Sequence, residues 1–147
     1  MSLPRGKAPE DAAVAEGEVA FHEVDPLHVV WHGRYYEYME HARMTLFRRH
    51  RIDALDLIPL GLKMFVIESE CRHVAPLRYG ERWRAKAWFS ESAQRIGVSY
   101  EITSGDGRRV ARGRTLLVTT DPEGGLLLET PAVLRERIES AAAPSKA

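Results

Sequence analysis

One stretch constrains the fold more than any other. Residues 33–52, GRYYEYMEHARMTLFRRHRI, carry the one long helical period in the chain. Tyr35, Met39, Ala42 and Leu46 recur at spacings that place them on one helix face, and Tyr38 and Phe47 widen it. Glu37 with His41, and Glu40 with Arg43, can line the other side. Extended patterns surround this helix. EGEVAFHEV (16–24) predicts a first strand, with Val19 and Phe21 at alternate positions. Four more strands are predicted at 63–74, 81–92, 95–104 and 108–120. RIGVSYEITS is the clearest, with Ile96, Val98, Tyr100 and Ile102 on one face and Arg95, Ser99, Glu101 and Thr103 on the other. SGDG (104–107) predicts a hairpin turn. Residues 53–61 predict a short helical turn stopped by Pro59 and Gly61. Residues 130–140 predict a closing helix, capped by Thr130 with Pro131 in its first turn. Strands joined by short turns form an antiparallel sheet, whose apolar face needs a cover. The long helix is that cover, and the class is α+β.

The 147 residues suit one domain, read as 17–140 between flexible segments at 1–16 and 141–147. A formal net charge of zero argues against general affinity for nucleic acid or an anionic membrane. Cys71 is the single cysteine, so neither an intrachain disulfide nor a cysteine-based metal site can form within one chain. That usage fits a reducing cytoplasm. No signal peptide is expected, and no apolar run approaches the roughly 18 residues of a membrane span. P-loop, dinucleotide and metal-helix motifs are absent, so neither metal nor cofactor is expected.

VDPLHVVWHGRYYEYMEHAR (24–43) carries the chemistry. An acidic residue, Asp25, precedes His32 by seven positions, just ahead of the long helix. Asp25, Val29, Val30, Trp31, His32, Tyr35, Glu40 and Arg43 resemble the signature of the 4-hydroxybenzoyl-CoA thioesterase branch of hotdog acyl-CoA thioesterases. The strand–helix–four-strand order extends the resemblance over roughly residues 17–120. It departs in two places: His28 stands where the branch usually has glycine, and Arg34 where it has asparagine.

The resemblance implies a hotdog fold, a sheet wrapped around one central helix. It implies hydrolysis of an acyl-CoA or acyl-carrier-protein thioester by a homodimer or homotetramer. Asp25 would be nucleophile or general base. Near the helix start, the His32 backbone N–H would polarise the thioester carbonyl, and its side chain could orient water or Asp25. Gly33 would let the pantetheine approach, and Trp31 and Tyr35 would meet substrate. Against the substrate role, an aromatic stripe such as Tyr35 and Met39 also reads as core. Coenzyme A phosphates call for cations, and Arg78, Arg82, Arg109 and Arg112 are expected to supply them, with Arg108 and Arg114 as further candidates. The competing readings are a hotdog hydratase or dehydratase and a non-catalytic acyl-CoA-binding module.

Overall fold

The structure, a computed structural model, describes residues 7–140. The expectations for 1–6 and 141–147 lie outside the described residues. Five strands form one antiparallel sheet in the order β1-β3-β4-β5-β2. They are β1 (Ala13–Glu18), β2 (Lys63–His73), β3 (Arg82–Glu91), β4 (Ile96–Ser104) and β5 (Arg109–Thr120). Helix α1 spans Arg34–Arg49, a single turn α2 spans Ala54–Leu57, and α3 spans Ala132–Glu139. The one-helix, one-sheet expectation holds. Among the described residues no helix is long and apolar enough to cross a membrane.

The helical stripe read from the sequence is the buried face of α1: Tyr35, Tyr38, Met39, Ala42, Leu46 and Phe47. The helix ends in a Schellman motif. Arg51 takes a left-handed φ of 59°, its N–H bonds the Arg48 carbonyl, and the Ile52 N–H bonds the Phe47 carbonyl. Ile52 then buries completely. Tyr38 stacks on Trp83 of β3, with ring centroids 4.3 Å apart. In the sheet, Tyr100 pairs with Ala87 on one side and Gly113 on the other, so the largest side chain of β4 sits between small ones. Met39 fills the space above Gly113; a Cβ there would strike its sulfur and come within 2.8 Å of the Glu70 carbonyl oxygen. Alternation then assigns faces. Val66, Ser69, Cys71 and His73 of β2 share the helix side with Gly113, because they pair with Leu117, Thr115, Gly113 and Ala111. Arg112 and Arg114 project from the opposite face.

Two boundaries differ from the sequence reading. The first strand is Ala13–Glu18 rather than 16–24, so it begins inside the segment expected to be flexible. Pairing decides this. Glu18 faces Arg82, the first residue of β3, so the sheet offers no partner further on. The chain turns instead into a 3-10 helix, Phe21–Glu23, closed by the Ala20 N–H on Glu23 Oε1 at 2.8 Å. Val19 is buried as its pattern implies, but Phe21 is 75% exposed. Thr130 does not cap α3. Pro131 holds the N-cap position, and the Thr130 hydroxyl is buried without a hydrogen-bond partner. Thr130 is tied down through its backbone, whose N–H bonds the Ala93 carbonyl.

α1 packs mainly on β1, β3 and β4, with Met39 reaching β5, and leaves the β2 edge of the sheet open. Edge strand β2 is accordingly exposed along nearly its whole length, including Phe65 (51%), Val66 (47%) and Ile67 (53%). A bulge between Val66 and Glu68 bends it. Because the Glu70 backbone cannot retreat without breaking the β2–β5 ladder, Gly113→Ala is expected to cost about 1–3 kcal/mol. Urea unfolding followed by far-UV circular dichroism measures it.

Candidate active site

The signature loop is a tight turn. The Asp25 carbonyl accepts the His28 N–H at 2.9 Å, with Pro26 in the position that favours its fixed φ. Asp25 Oδ1 accepts the Leu27 N–H at 2.8 Å, which fixes the carboxylate over the turn. The Asp25 N–H donates to the Val29 carbonyl at 2.9 Å. The ends of the loop are pinned by the Val24–Val30 and Val29–Arg78 bridges and by the Trp31 N–H on the Glu23 carbonyl. His28, where the resemblance expects glycine, has φ 65°. The backbone keeps the left-handed conformation and bears the strain of a side chain there.

α1 starts immediately after this loop. Gly33 is the N-cap residue and provides no side-chain cap. Among the described residues, the N–H groups of His32 and Gly33 meet no protein acceptor. They are free to face developing negative charge. Space above Gly33 is filled by the chain itself: a Cβ there would run into the Trp31 indole, which is 49% exposed. His32 is exposed, and its ring lies against Trp31 and, at 6.2 Å, His73. Burial lowers the His73 pKa, and the neighbouring His32 lowers it further. Sequence reasoning missed His73, which lies 41 positions after His32 in the chain.

Tyr35 does not reach a cavity. It is 3% exposed, packed against Tyr38 and His73, and burial raises its pKa. Its neighbour Tyr36 faces the open side instead. Tyr36, Met39, Ser69 and Thr115 line a cavity of about 250 Å³ between α1 and β2. A larger one of about 760 Å³ continues toward Met44, Phe47, Leu57, Leu62, Met64 and Leu117. The two share Glu40, Arg43 and Val66, so they form one trough along the helix. At 1.5 Å per residue, Tyr36 to Phe47 spans roughly 16 Å. Its lining is mostly apolar, as acyl sites are. Arg43 is the buried exception, its side chain 17% exposed, donating to the Tyr100 hydroxyl at 3.3 Å and paired loosely with Glu40 at 3.7 Å. Cys71 is no competing nucleophile, because burial pushes its thiol up to about 11.

The expected phosphate-binding arginines separate into two groups. Arg109 bonds Glu101 at 2.9 Å, and Arg112 stands opposite Glu101, both on the face away from α1 and the trough. Alternation puts Arg112 on that face, and the irregularity at Val110, which pairs Thr103 with Arg109, brings Arg109 to the same face. Arg114 is held on that face by Glu68 and Glu70, and Arg108 by Glu81 and Asp106. Arg78 and Arg82 lie near the loop, at the end of the sheet where β3 begins and β5 starts beside it. Arg78 pairs directly with Val29, and neither guanidinium has an ion pair among the described residues.

A sheet wrapped on one helix, with a carboxylate turn at the helix start, defines a hotdog protein of the thioesterase class. The chain belongs to the thioesterase-like superfamily, whose family profile matches residues 19–138. The Synechocystis protein sll0410 is 28% identical over 121 residues, spanning 80% of this chain and 72% of its own. Among solved structures, Slr0204, a 1,4-dihydroxy-2-naphthoyl-CoA thioesterase from Synechocystis, superimposes with a TM-score of 0.75 at 20% identity, covering 86% of this chain and 95% of its own. The DHNA-CoA thioesterase of Staphylococcus aureus gives 0.73 at 22% identity, covering 80% of each chain. At these identities the structural likeness is one of fold.

Because His28 bears left-handed strain of about 1–2 kcal/mol, offset by glycine's entropy of about 0.5–1 kcal/mol, His28→Gly is expected to stabilise the protein by about 0.5–1 kcal/mol. Chemical denaturation of the two proteins side by side gives the difference.

Proposed function

We propose that this protein hydrolyses an acyl thioester, of coenzyme A or a carrier protein, to the free acid and the thiol. One observation carries the reading: a carboxylate turn, Asp25–His28, leads straight into a helix start with open N–H groups, and the same helix walls an apolar trough. The acyl group lies in the trough. Its carbonyl oxygen sits at the His32–Gly33 amides, which stabilise the oxyanion as it forms. Asp25 either attacks the carbonyl carbon directly, giving an anhydride that water then opens, or takes the proton from an attacking water. In both routes the C–S bond breaks and the thiolate leaves. Trp31 must swing off Gly33 for the thioester to enter.

The working form in this reading is a homodimer built on β2. That strand has an unpaired backbone edge and three exposed apolar residues in a row, a combination that favours pairing with a second chain. A twofold pairing there would hide both edges and wall the open side of the trough.

Asp25→Asn keeps an oxygen for the Leu27 N–H, so the turn survives while the nucleophile or base is lost. Turnover on an acyl-CoA panel, read by free thiol, is expected to fall about a hundredfold or more; turnover within a few-fold of wild type would remove Asp25 from the mechanism. Ile67→Lys places a charge on the exposed edge without touching the trough. Wild type is expected at a multiple of 16.6 kDa by light scattering and this variant at 16.6 kDa; an unchanged mass would discard β2 as the contact.

A further inference from the structure

Arg43 is the charge that the trough does not neutralise. It lines both cavities, at the point where they join. Its side chain is 17% exposed, yet its partners hold it loosely. The Glu40 carboxylate is 3.7 Å away on a side chain that is 75% exposed, so it stays with water. The Tyr100 hydroxyl, 3.3 Å away, is a neutral phenol, because burial raises its pKa. A guanidinium carries more donors than these long contacts can use, and the rest open into the trough. The other charged groups along the trough do not compensate it. Asp53 pairs with Arg48, and Lys63 is exposed.

The walls around this guanidinium are apolar except for hydroxyls. Ser69 and Thr115 pair across β2 and β5 on the helix side, and Thr115 also bonds the Tyr100 hydroxyl. The trough therefore has one polar station, and its groups donate. An alkyl chain laid there would cover Arg43 and strip its water without replacing it, which a charge resists. A carboxylate would meet the paired donors of the guanidinium in the geometry they fit. The position matters as well. A long side chain on a helix leans toward the N-terminus, which brings the Arg43 guanidinium to the level of Met39 and Glu40. Glu40 lies about 10 Å along α1 from Gly33. The anion thus belongs at the far end of an acyl chain and not beside the reacting carbonyl.

We infer that the trough selects an acyl group that ends in a carboxylate, and that Arg43 reads that carboxylate with Ser69 and Thr115 beside it. This rests on the thioesterase reading and names the acyl class that reading leaves open. The acid released is then a dicarboxylic acid. Water adds to the acyl carbon, the C–S bond breaks and the thiol leaves, while the distal carboxylate takes no part in the chemistry.

Two measurements test this, both on pantetheine, the arm that coenzyme A and a carrier protein share. The first compares kcat/KM for adipyl- and hexanoyl-pantetheine, which match in chain length and differ in the end group. Wild type is expected to favour the adipyl ester by at least about tenfold. Arg43→Met keeps an apolar stem without the charge. It is expected to lose at least about tenfold toward the adipyl ester and nothing toward the hexanoyl ester, so that the preference disappears or inverts. Arg43→Lys, which restores a charge on the same stem, is expected to recover part of it. A wild type that treats the two esters alike overturns the inference, whether or not any variant folds. Equal loss toward both esters in Arg43→Met overturns it too, and makes Arg43 a packing residue between α1 and β4. The second measurement needs no catalysis. Calorimetric titration with S-(5-carboxypentyl)pantetheine and S-hexylpantetheine, thioethers that water cannot cleave, is expected to show the carboxylate form binding wild type at least about tenfold more tightly and losing that advantage in Arg43→Met. Equal binding, or none at millimolar concentration, overturns the site. Tighter binding of the carboxylate form by a wild type that hydrolyses neither ester would refute the thioesterase reading and leave the anion site standing.

Discussion

One helix cannot cover five strands. Tyr38 on Trp83 holds α1 above β1, β3 and β4, and Met39 reaches as far as Gly113 of β5. What remains is the surface of β2, mixed in polarity and exposed along nearly its whole length. The trough and the exposed edge are consequences of that single placement. Binding space is thus the part of the core that the chain lacks residues to fill, and the same shortage drives the proposed pairing of two chains.

The outer face is organised by different forces. Cross-strand ion pairs link Glu16 to Arg84, Glu101 to Arg109, and Glu68 and Glu70 to Arg114. Each joins neighbouring strands; Glu16–Arg84 is half-exposed on both sides and contributes only modestly to stability, whereas Glu101 and Arg114 are buried. These ion pairs engage Arg109 and Arg114 of β5.

Local periodicity made the element order, the helix stripe and the core of β4 legible in the sequence, because each depends on residues a few positions apart. The Asp25 turn was legible through a family signature, and the left-handed φ at His28 shows why glycine is usual there. Features that depend on partners distant in the chain were not legible. The first strand ends where β3 begins, which Val19 and Phe21 cannot reveal. Tyr35 and Tyr36 are adjacent and differ in role by one step of helix rotation. Arg109 and Arg112 read as available cations until the irregular β4–β5 register and Glu101 place them. His73, and the meeting of Arg43 with Tyr100, join segments that nothing in the one-dimensional pattern connects.

The far wall of the trough comes from Leu57 in α2 and from Leu62 and Met64 beyond the following turn, whereas the near wall comes from α1 itself. Only the near wall is shared with the core and with the helix that begins at the Asp25 loop. The distal segment is a short insertion between helix and edge strand, with Leu55 and Ile58 in solvent. Its length and bulk can drift without disturbing the packing of Met39 or the amides at Gly33. In the proposed reading, such a chain separates its reaction from its selectivity: the helix start belongs to the core of the fold, and the size of the accepted acyl group would be set at the periphery, one residue at a time.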